Sequence, residues 1–119
     1  MKGERDYSLF IKDILKAIVN IEEFIQNVDF AGFCKDEKTQ SAVVWQIQII
    51  GEAAKNIPAE RKDRYPAIPW KYMARIRDKI AHFYFGIDYE IVWDVIKNKL
   101  PEVKPSIQKM LQDIDDRDN

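Results

Sequence analysis

His82 lies in the most basic part of the chain and is the only histidine among its 119 residues. Imidazole has an unperturbed pKa near neutrality, which makes His82 a candidate for proton transfer at physiological pH. The alternative is a structural or capping residue, because a lone histidine near a helix end often has that role. Counted at ~100° per residue, His82 falls off the apolar stripe of its helix, so the pattern does not make it a core residue.

Arg77 is the second candidate, because a guanidinium binds a phosphate bidentately and stabilises charge that develops in a transition state. In a straight helix Arg77 and His82 are separated by roughly 140° and do not share a face. Arg75 lies seven residues before His82 and nearly eclipses it. Two alternatives remain open: either the helix distorts near its end, or the site collects residues from two chains.

The charge of the chain is unevenly distributed. Seven Lys or Arg residues stand against two acids between Arg61 and Lys79, although the formal net charge of the whole chain is −1. A local basic stretch on a nearly neutral protein suits a short anionic ligand better than long duplex nucleic acid. An ordinary solvated face is the alternative interpretation.

The composition indicates one globular domain spanning residues 1–119. Hydrophobic residues make up 46% and charged residues 33% of the chain, and no apolar run approaches the ~18 residues that a membrane span requires. The N-terminus lacks a signal-peptide core, so we expect a cytoplasmic protein without membrane association. Cys34 is the only cysteine, and one Cys with one His cannot anchor a Cys/His metal site. We therefore predict neither a metal nor a cofactor.

Apolar residues recur at alternating steps of four and three over residues 7–28 and predict a long amphipathic helix. Residues 31–33, Ala-Gly-Phe, are expected to end this helix, and Asp36 or Thr39 is expected to cap the next. Residues 43–50 alternate like a strand and are rich in β-branched side chains. Their apolar series also fits a helix, and the chain offers no second strand for pairing, so we predict a helix there.

Prolines punctuate the second half of the chain. They make residues 57–69 a restrained loop, with Pro69 predicted as the first residue of a third helix. Gly86 is a natural residue to end that helix, and Asp88 is expected to cap a fourth. Two later prolines are expected to interrupt the pattern before a last helix. The predicted fold is all-α, an antiparallel bundle of four to five helices, with Trp70 assigned to packing.

Four segments resemble the HepT-like HEPN family in order and spacing. They are Gly51-Glu-Ala-Ala-Lys-Asn-Ile-Pro58, Tyr65-Pro-Ala-Ile-Pro-Trp70, Arg77-Asp-Lys-Ile-Ala-His82-Phe-Tyr84, and the stretch from Trp93 to Leu100-Pro101. Trp93, like Trp70, is assigned to packing. The resemblance covers about residues 8 to 112. It implies a dimeric, metal-independent RNase toxin whose motif Arg and His line a cleft at the dimer axis. It also implies a minimal nucleotidyltransferase antitoxin, which transfers AMP from ATP to the motif tyrosine.

By this resemblance Arg77 and His82 are catalytic, and the Tyr84 hydroxyl is the AMP acceptor. Asp78 follows the arginine where the family usually has a polar residue, often Asn. Asp78 is expected to support the site by orienting His82 or Arg77, and neutralisation of the arginine is the alternative. Glu52 belongs to the family-like Gly-Glu-Ala stretch and is assigned a supporting role. A plain ion pair between this acid and a basic helix is an equally good interpretation.

The implied reaction is attack of an RNA 2′-hydroxyl on the adjacent phosphodiester, which needs a base, an acid and a cation. One histidine per chain cannot fill both proton-transfer roles at once. A two-fold homodimer supplies two copies of His82 and Arg77, so we predict that assembly. Lys79 and Arg75 are expected to hold flanking phosphates. Two other functions stay open, namely a non-catalytic module that binds the nucleotidyltransferase, and a bundle that binds a nucleotide without cleavage.

Overall fold

Every regular element in the described part of the chain is helical. The structure is a computed structural model that describes residues 2–81 and 88–118. Its elements are α1 (Lys2–Phe24), α2 (Phe30–Lys35), α3 (Glu37–Asn56), α4 (Ala59–Lys62), α5 (Trp70–Ala81), α6 (Tyr89–Asp94), a π-helical turn (Val95–Lys99) and α7 (Leu100–Asp118). The prediction of an all-α fold is confirmed. The strand-like residues 43–50 lie within α3, as the absence of a pairing partner indicated.

The core consists of the apolar faces that the sequence periodicity predicts. The buried stripe of α1 comprises Tyr7, Ile11, Ile14, Ile18, Ile21 and Ile25. The corresponding stripes are Val43, Ile47, Ile50 and Ala54 on α3, and Trp70, Met73, Ile76 and Ile80 on α5. Helix α3 packs against both α1 and α5, and α1 also packs against α7. Burial of these faces supplies the main driving force for the fold.

Helices α1 and α3 run antiparallel. Near one end of the pair, Phe10 and Ala53 line the same surface groove. Farther along, the Asn20 side-chain amide donates a hydrogen bond of 3.3 Å to Gln46 Oε1. The residue number therefore rises along α1 while it falls along α3. This arrangement brings the C-terminal half of α3 beside the N-terminal half of α1.

The first helix ends at Phe24, earlier than predicted, because Asn27 adopts a left-handed backbone with φ of 64°. Asparagine tolerates this conformation better than most residues, and it ends a helix where it occurs. Asp29 then caps α2 by accepting a 2.8 Å hydrogen bond from the Gly32 amide. The prediction that residues 31–33 end a helix was wrong, because they lie inside α2 and bury Phe33.

Asp36 caps α3. Its carboxylate accepts hydrogen bonds from the Thr39 amide at 3.1 Å and from the Thr39 hydroxyl at 2.6 Å. These bonds favour the charged carboxylate and lower the pKa of Asp36. Of the two predicted caps, Asp36 is the N-cap residue, and Thr39 is its partner in the first turn.

The proline-rich segment 57–69 is a loop that contains the single helical turn α4. The Trp70 indole N–H donates to the carbonyl oxygens of Lys62 and Tyr65 at 3.3 Å and 3.2 Å, and so ties this loop to the start of α5. Trp70 is buried, which confirms its assignment to packing. Helix α5 begins at Trp70, one residue later than predicted, and the Pro69 carbonyl accepts from the Met73 amide at 3.0 Å.

Pro101 and Pro105 lie inside α7 and do not separate two helices, so the predicted interruption was wrong. Both prolines are on the exposed side of the helix. Immediately before Pro101 the chain forms a π-helical turn, in which the Leu100 amide donates to the Val95 carbonyl. A proline removes one N–H donor from the helical ladder, and a local i→i+5 register accommodates that loss without ending the helix. Trp93 packs on Phe33 with ring centroids 5.2 Å apart, in agreement with its predicted packing role.

Helices α3 and α5 come close together at Gly51, where a larger residue does not fit. A Cβ atom on Gly51 would overlap Arg77 Cβ, and it would lie 2.6 Å from Arg77 Cγ and 3.1 Å from the Met73 carbonyl oxygen. Gly51 is buried, so the aliphatic stem of Arg77 packs directly on the α3 backbone. The glycine therefore sets the spacing of the two helices at Arg77.

We predict that Gly51→Ala destabilises the fold by about 2–3 kcal/mol, because an overpacked helix contact outweighs the ~1 kcal/mol gained in helix propensity. Chemical denaturation would measure the change in the free energy of unfolding. Gly32→Ala is the control at an exposed helical glycine, where the added Cβ would meet the Asp29 carboxylate at 3.1 Å and no second helix. It should stay within about 1 kcal/mol of wild type, because the carboxylate can shift. A Gly51→Ala protein as stable as wild type would contradict the close approach.

Candidate active site

Arg77 lies at the α3–α5 contact with its guanidinium held between two carboxylates. Its NH1 group donates a 3.0 Å hydrogen bond to Asp78 Oδ1, and NH2 forms a 3.4 Å ion pair with Glu52 Oε2. The side chain is 35% exposed, since its stem is covered by α3 while its head reaches solvent. Both residues that the sequence placed in supporting roles, Glu52 and Asp78, therefore contact Arg77.

Lys55 extends this cluster. Its ammonium donates a 2.7 Å hydrogen bond to Asp78 Oδ1, the same oxygen that accepts from Arg77. The bond from Lys55 and, second, the bond from Arg77 lower the pKa of Asp78, because both favour its charged form. Two cations and two anions, Lys55 and Arg77 with Glu52 and Asp78, thus form one neutral chain across the helix pair. We refer to these four residues as the arginine cluster.

The arginine cluster borders an open groove of about 430 Å³ between α1, α3 and α5. Besides Arg77 and Glu52, the lining residues are Phe10, Asp13, Trp45, Gln48, Ile49 and Ala53. Most of this wall is apolar, and the Trp45 side chain is 61% exposed. The groove therefore combines a positioned guanidinium at one edge with an uncovered hydrophobic surface.

Arg75 and Arg77 face different sides of α5. Arg75 lines a second groove of about 750 Å³, together with Lys62, Lys71 and Tyr72. Lys79 is exposed near the end of the same helix. Within one chain, the structure does not place Arg75 in the groove of Arg77. The predicted phosphate-binding residue Arg75 thus belongs to a separate basic surface.

The basic stretch from residue 61 to 79 is accordingly not one continuous patch. Arg61 is buried, with its guanidinium carbon 5.2 Å from the centre of the Tyr7 ring. Such a cation–π contact is part of the packing between α4 and α1. Of the remaining cations, Arg77 borders the first groove and three others line the second. His82, Tyr84 and Gly86, which was predicted to end the helix, lie outside the described residues.

A sequence model of the family described as "Ribonuclease HepT-like" matches residues 14–110, which include the arginine cluster and the Arg77-to-Tyr84 motif. This match covers most of the chain and spans every residue to which the motif assigns a role. The chain belongs to the HepT-like ribonuclease family. The family resemblance of the motif segments is confirmed.

Relatives with similar lengths support this membership. "Putative RNase MJ0127" of Methanocaldococcus jannaschii is 44% identical over 115 residues, which cover 97% of this chain and 95% of that protein. "Probable ribonuclease HepT" of Thermococcus cleftensis is 44% identical over 107 residues, which cover 90% of this chain and 97% of that protein. "Putative RNase TTE0752" of Caldanaerobacter subterraneus is 37% identical over 112 residues, which cover 94% of this chain and 97% of that protein. No solved structure matches this HepT-like chain.

Among residues 2–81 and 88–118, no three His, Cys, Asp or Glu side chains are grouped so that they could hold a metal ion. The helices within the same ranges are too short or too polar to cross a membrane.

Sequence reasoning missed two residues that shape the site of this HepT-like chain. Gly51 was named only as the first residue of the family-like segment from 51 to 58, although a glycine inside a helix often marks a close contact. Lys55 was named only as a member of the same segment, with no role of its own. Its spacing of three residues from Glu52 places both on one face of α3, but its partner on α5 follows only from the tertiary packing.

Proposed function

We propose that this chain is a metal-independent endoribonuclease that acts as a homodimer in the cytoplasm, with Arg77 and His82 as its catalytic residues. The observation that carries this proposal is the guanidinium of Arg77, which two helices hold at the edge of an open groove. A charge that is already positioned stabilises a transition state without reorganising during the reaction. A freely rotating surface arginine lacks that advantage.

The proposed reaction forms a bond between the RNA 2′-oxygen and the adjacent phosphorus, and it breaks the bond from phosphorus to the 5′-oxygen. A base accepts the proton of the 2′-hydroxyl, and an acid donates a proton to the leaving 5′-oxygen. The products are a 2′,3′-cyclic phosphate and a 5′-hydroxyl. In a two-fold dimer the two copies of His82 fill the two proton-transfer roles, and Arg77 binds the non-bridging oxygens.

The geometry of the arginine cluster suggests how Arg77 engages the phosphate. Its pair with Glu52 is the longer contact, at 3.4 Å, and Glu52 is 59% exposed. Its bond to Asp78 is shorter, at 3.0 Å. We propose that the phosphate displaces Glu52 while Asp78 keeps the guanidinium in place. Lys79 and Arg75 would then bind flanking phosphates, with Arg75 acting from the second groove.

We expect Arg77→Ala and His82→Ala each to lower RNA cleavage at least about 100-fold, because each removes a charge or a proton-transfer group from the transition state. Gel analysis of a labelled RNA in excess EDTA would measure the rates. EDTA should have no effect, because arginine and histidine supply both the charge and the proton transfer. A 2′-deoxy nucleotide at the cleaved position should block the reaction.

Arg64→Ala is the matched control, since Arg64 is an exposed arginine that lines neither groove. Its rate should equal that of wild type. Circular dichroism should show unchanged helical content in all three variants. Loss of cleavage on chelation, or full activity without His82, would contradict the proposed mechanism.

An apolar surface beside Arg77 supports the proposed dimer. Trp45 and Leu9 are 61% and 57% exposed, and Phe10 and Ile49 contribute to the same side of α1 and α3. Large exposed apolar surfaces on small domains commonly mark protein interfaces, and tryptophan is enriched where they bind. A second copy placed there would bring its own Arg77 near the first, as a shared cleft requires.

We predict that Trp45→Glu converts the dimer to a monomer and abolishes RNA cleavage, because it buries a carboxylate in the apolar interface. Sedimentation at micromolar concentration would measure the assembly. Gln108→Glu is the control, since it adds the same carboxylate at an exposed residue of α7 that lines neither groove. A wild-type monomer that retains activity would overturn both the dimer and the shared site.

We further propose that the chain is the toxin of a toxin–antitoxin pair, controlled by AMP transfer to Tyr84 from a minimal nucleotidyltransferase. The Tyr84 oxygen would attack the α-phosphorus of ATP, with pyrophosphate leaving. Tyr84 follows Arg77 by seven residues, which on a helix places the two within roughly 20° of each other. A phosphate attached there would pair with Arg77 and obstruct the approach of RNA.

We expect mass spectrometry to find AMP on Tyr84 after incubation with ATP and the cognate nucleotidyltransferase, together with loss of RNA cleavage. Tyr84→Phe removes the acceptor oxygen while keeping the ring, so it should remain unmodified and escape inhibition. AMP attached to another residue, or inhibition without modification, would exclude Tyr84 as the point of control. The nuclease proposal does not depend on that outcome.

A non-catalytic interaction module is the second candidate function. The observation that favours it is the neutral arginine cluster, in which two carboxylates already compensate the charge of Arg77. Such a chain would bind the nucleotidyltransferase and accept AMP without cutting RNA. AMP transfer to the wild-type chain, combined with no cleavage of any RNA by it, would favour this function over the nuclease.

A further inference from the structure

We infer that Lys55 is a positioning residue for the proposed RNA cleavage. By holding Asp78 as its partner, it lets Asp78 orient Arg77 without cancelling the charge that Arg77 offers to a phosphate. This inference rests on the proposed function. It concerns a residue to which the family motif from Arg77 to Tyr84 assigns no role, because Lys55 lies on α3, outside the motif.

The carboxylate oxygen of Asp78 has two cationic donors. Lys55 Nζ lies 2.7 Å from Oδ1 and Arg77 NH1 lies 3.0 Å from the same atom. The shorter bond is therefore the one to Lys55. A carboxylate oxygen that accepts from two cationic donors interacts less strongly with each of them. Asp78 therefore neutralises less of the positive charge of Arg77, which stays available to a third partner.

The charges of the arginine cluster show what Lys55 changes. With all four residues ionised, the two cations balance the two anions, and an approaching phosphate meets no net negative charge. Without Lys55, the cluster carries a net charge of −1, and Asp78 and Glu52 both compete with the phosphate for Arg77. The loss should appear mainly in kcat, because Arg77 acts on charge that develops in the transition state.

Two other roles for Lys55 are possible in principle and make different predictions. Lys55 could only fasten α3 to α5, in which case its loss would lower stability and not the chemistry. It could also bind an RNA phosphate directly, since its side chain is 38% exposed. In that case, the effect of removing the Lys55 charge on RNA cleavage would be the same whether or not residue 78 is charged.

A double-mutant cycle separates these roles. Steady-state cleavage of one RNA would be measured for wild type, Lys55→Met, Asp78→Asn and the double variant. Lys55→Arg tests rescue, because a guanidinium can still donate to Asp78. Lys104→Met is the matched control, since Lys104 forms an ion pair of the same 2.7 Å length with Glu22 on the α1–α7 side of the bundle.

We expect Lys55→Met to lower kcat about tenfold or more in the wild-type background, but less than about threefold when residue 78 is Asn. Lys55→Arg should retain most of the activity, and Lys104→Met should behave as wild type. An NMR titration provides a readout that is independent of cleavage. The carboxyl pKa of Asp78 should rise toward its ordinary value in Lys55→Met, because the shorter of its two hydrogen bonds from cations is gone.

An equal loss in both backgrounds would assign Lys55 to direct RNA binding and overturn the inference. Lys55→Met could instead lose activity and also lower the free energy of unfolding more than Lys104→Met does. That result would mean that Lys55 is only a structural contact. An unchanged pKa of Asp78 would overturn the inference as well. If the wild-type chain cleaves no RNA, the proposed function itself fails. If it cleaves RNA but the cycle shows no coupling, only the role of Lys55 fails.

Discussion

The contact between Gly51 and Arg77 is the constraint on which the rest of the site depends. Because a Cβ at residue 51 would overlap the Arg77 stem, the glycine lets α3 and α5 approach more closely than two ordinary helical faces. Two polar contacts of the site, Glu52 to Arg77 and Lys55 to Asp78, cross this same helix pair. Hydrogen bonds weaken steeply with distance and misalignment, so a wider helix spacing would lengthen both contacts. In the proposed function the glycine would therefore contribute by setting the distance between α3 and α5 at Arg77.

The arginine cluster does little for stability. Its four side chains are between 35% and 59% exposed, and ion pairs with that exposure are screened by water and typically contribute 0 to about 1 kcal/mol. The stability comes from the buried faces of α1, α3 and α5. What the ion pairs do provide is orientation, because Arg77 has its stem against a backbone and its head against fixed carboxylates. In the proposed reaction Arg77 exchanges one partner for a phosphate, and weak but directional contacts would suit that exchange.

The sequence predicted the helices well wherever burial decides the structure. The stripe of α1 from Tyr7 to Ile25 is buried as its periodicity indicated, and residues 43–50 are helical because tertiary packing overrides a local strand preference. The predictions failed where single residues decide the backbone. Asn27 ends α1 through a left-handed conformation that the apolar pattern does not reveal. Pro101 was expected to end a helix, but a π-helical turn shifts the register there and the helix continues.

For the site, the chemistry of the guanidinium selected Arg77, and the resemblance to the HepT-like family selected Asp78 and Glu52. Lys55 could not be selected in this way. It lies 23 residues from Asp78 along the chain, and only the packing of α3 on α5 brings them together. The division of Arg75 and Arg77 between two grooves was partly visible, since their helical spacing already separates them. The depth and lining of each groove required the tertiary structure.

The separation of Arg75 and Arg77 into two grooves bears on how Arg77 and His82 could form one site. Their spacing left two alternatives open, a distorted helix end or a site that collects residues from two chains. The groove at Arg77 is lined in part by the hydrophobic side chains of Phe10, Trp45 and Ile49, which carry no charge to bind a phosphate. Two further cations of α5, Lys71 and Arg75, line the second groove, so within one chain they add no positive charge beside Arg77. The uncovered apolar wall is suited to a second protein surface. The proposed site shared between two chains would account for this arrangement, because a second copy would both cover the wall and bring another guanidinium, which a distorted helix in a single chain would not do.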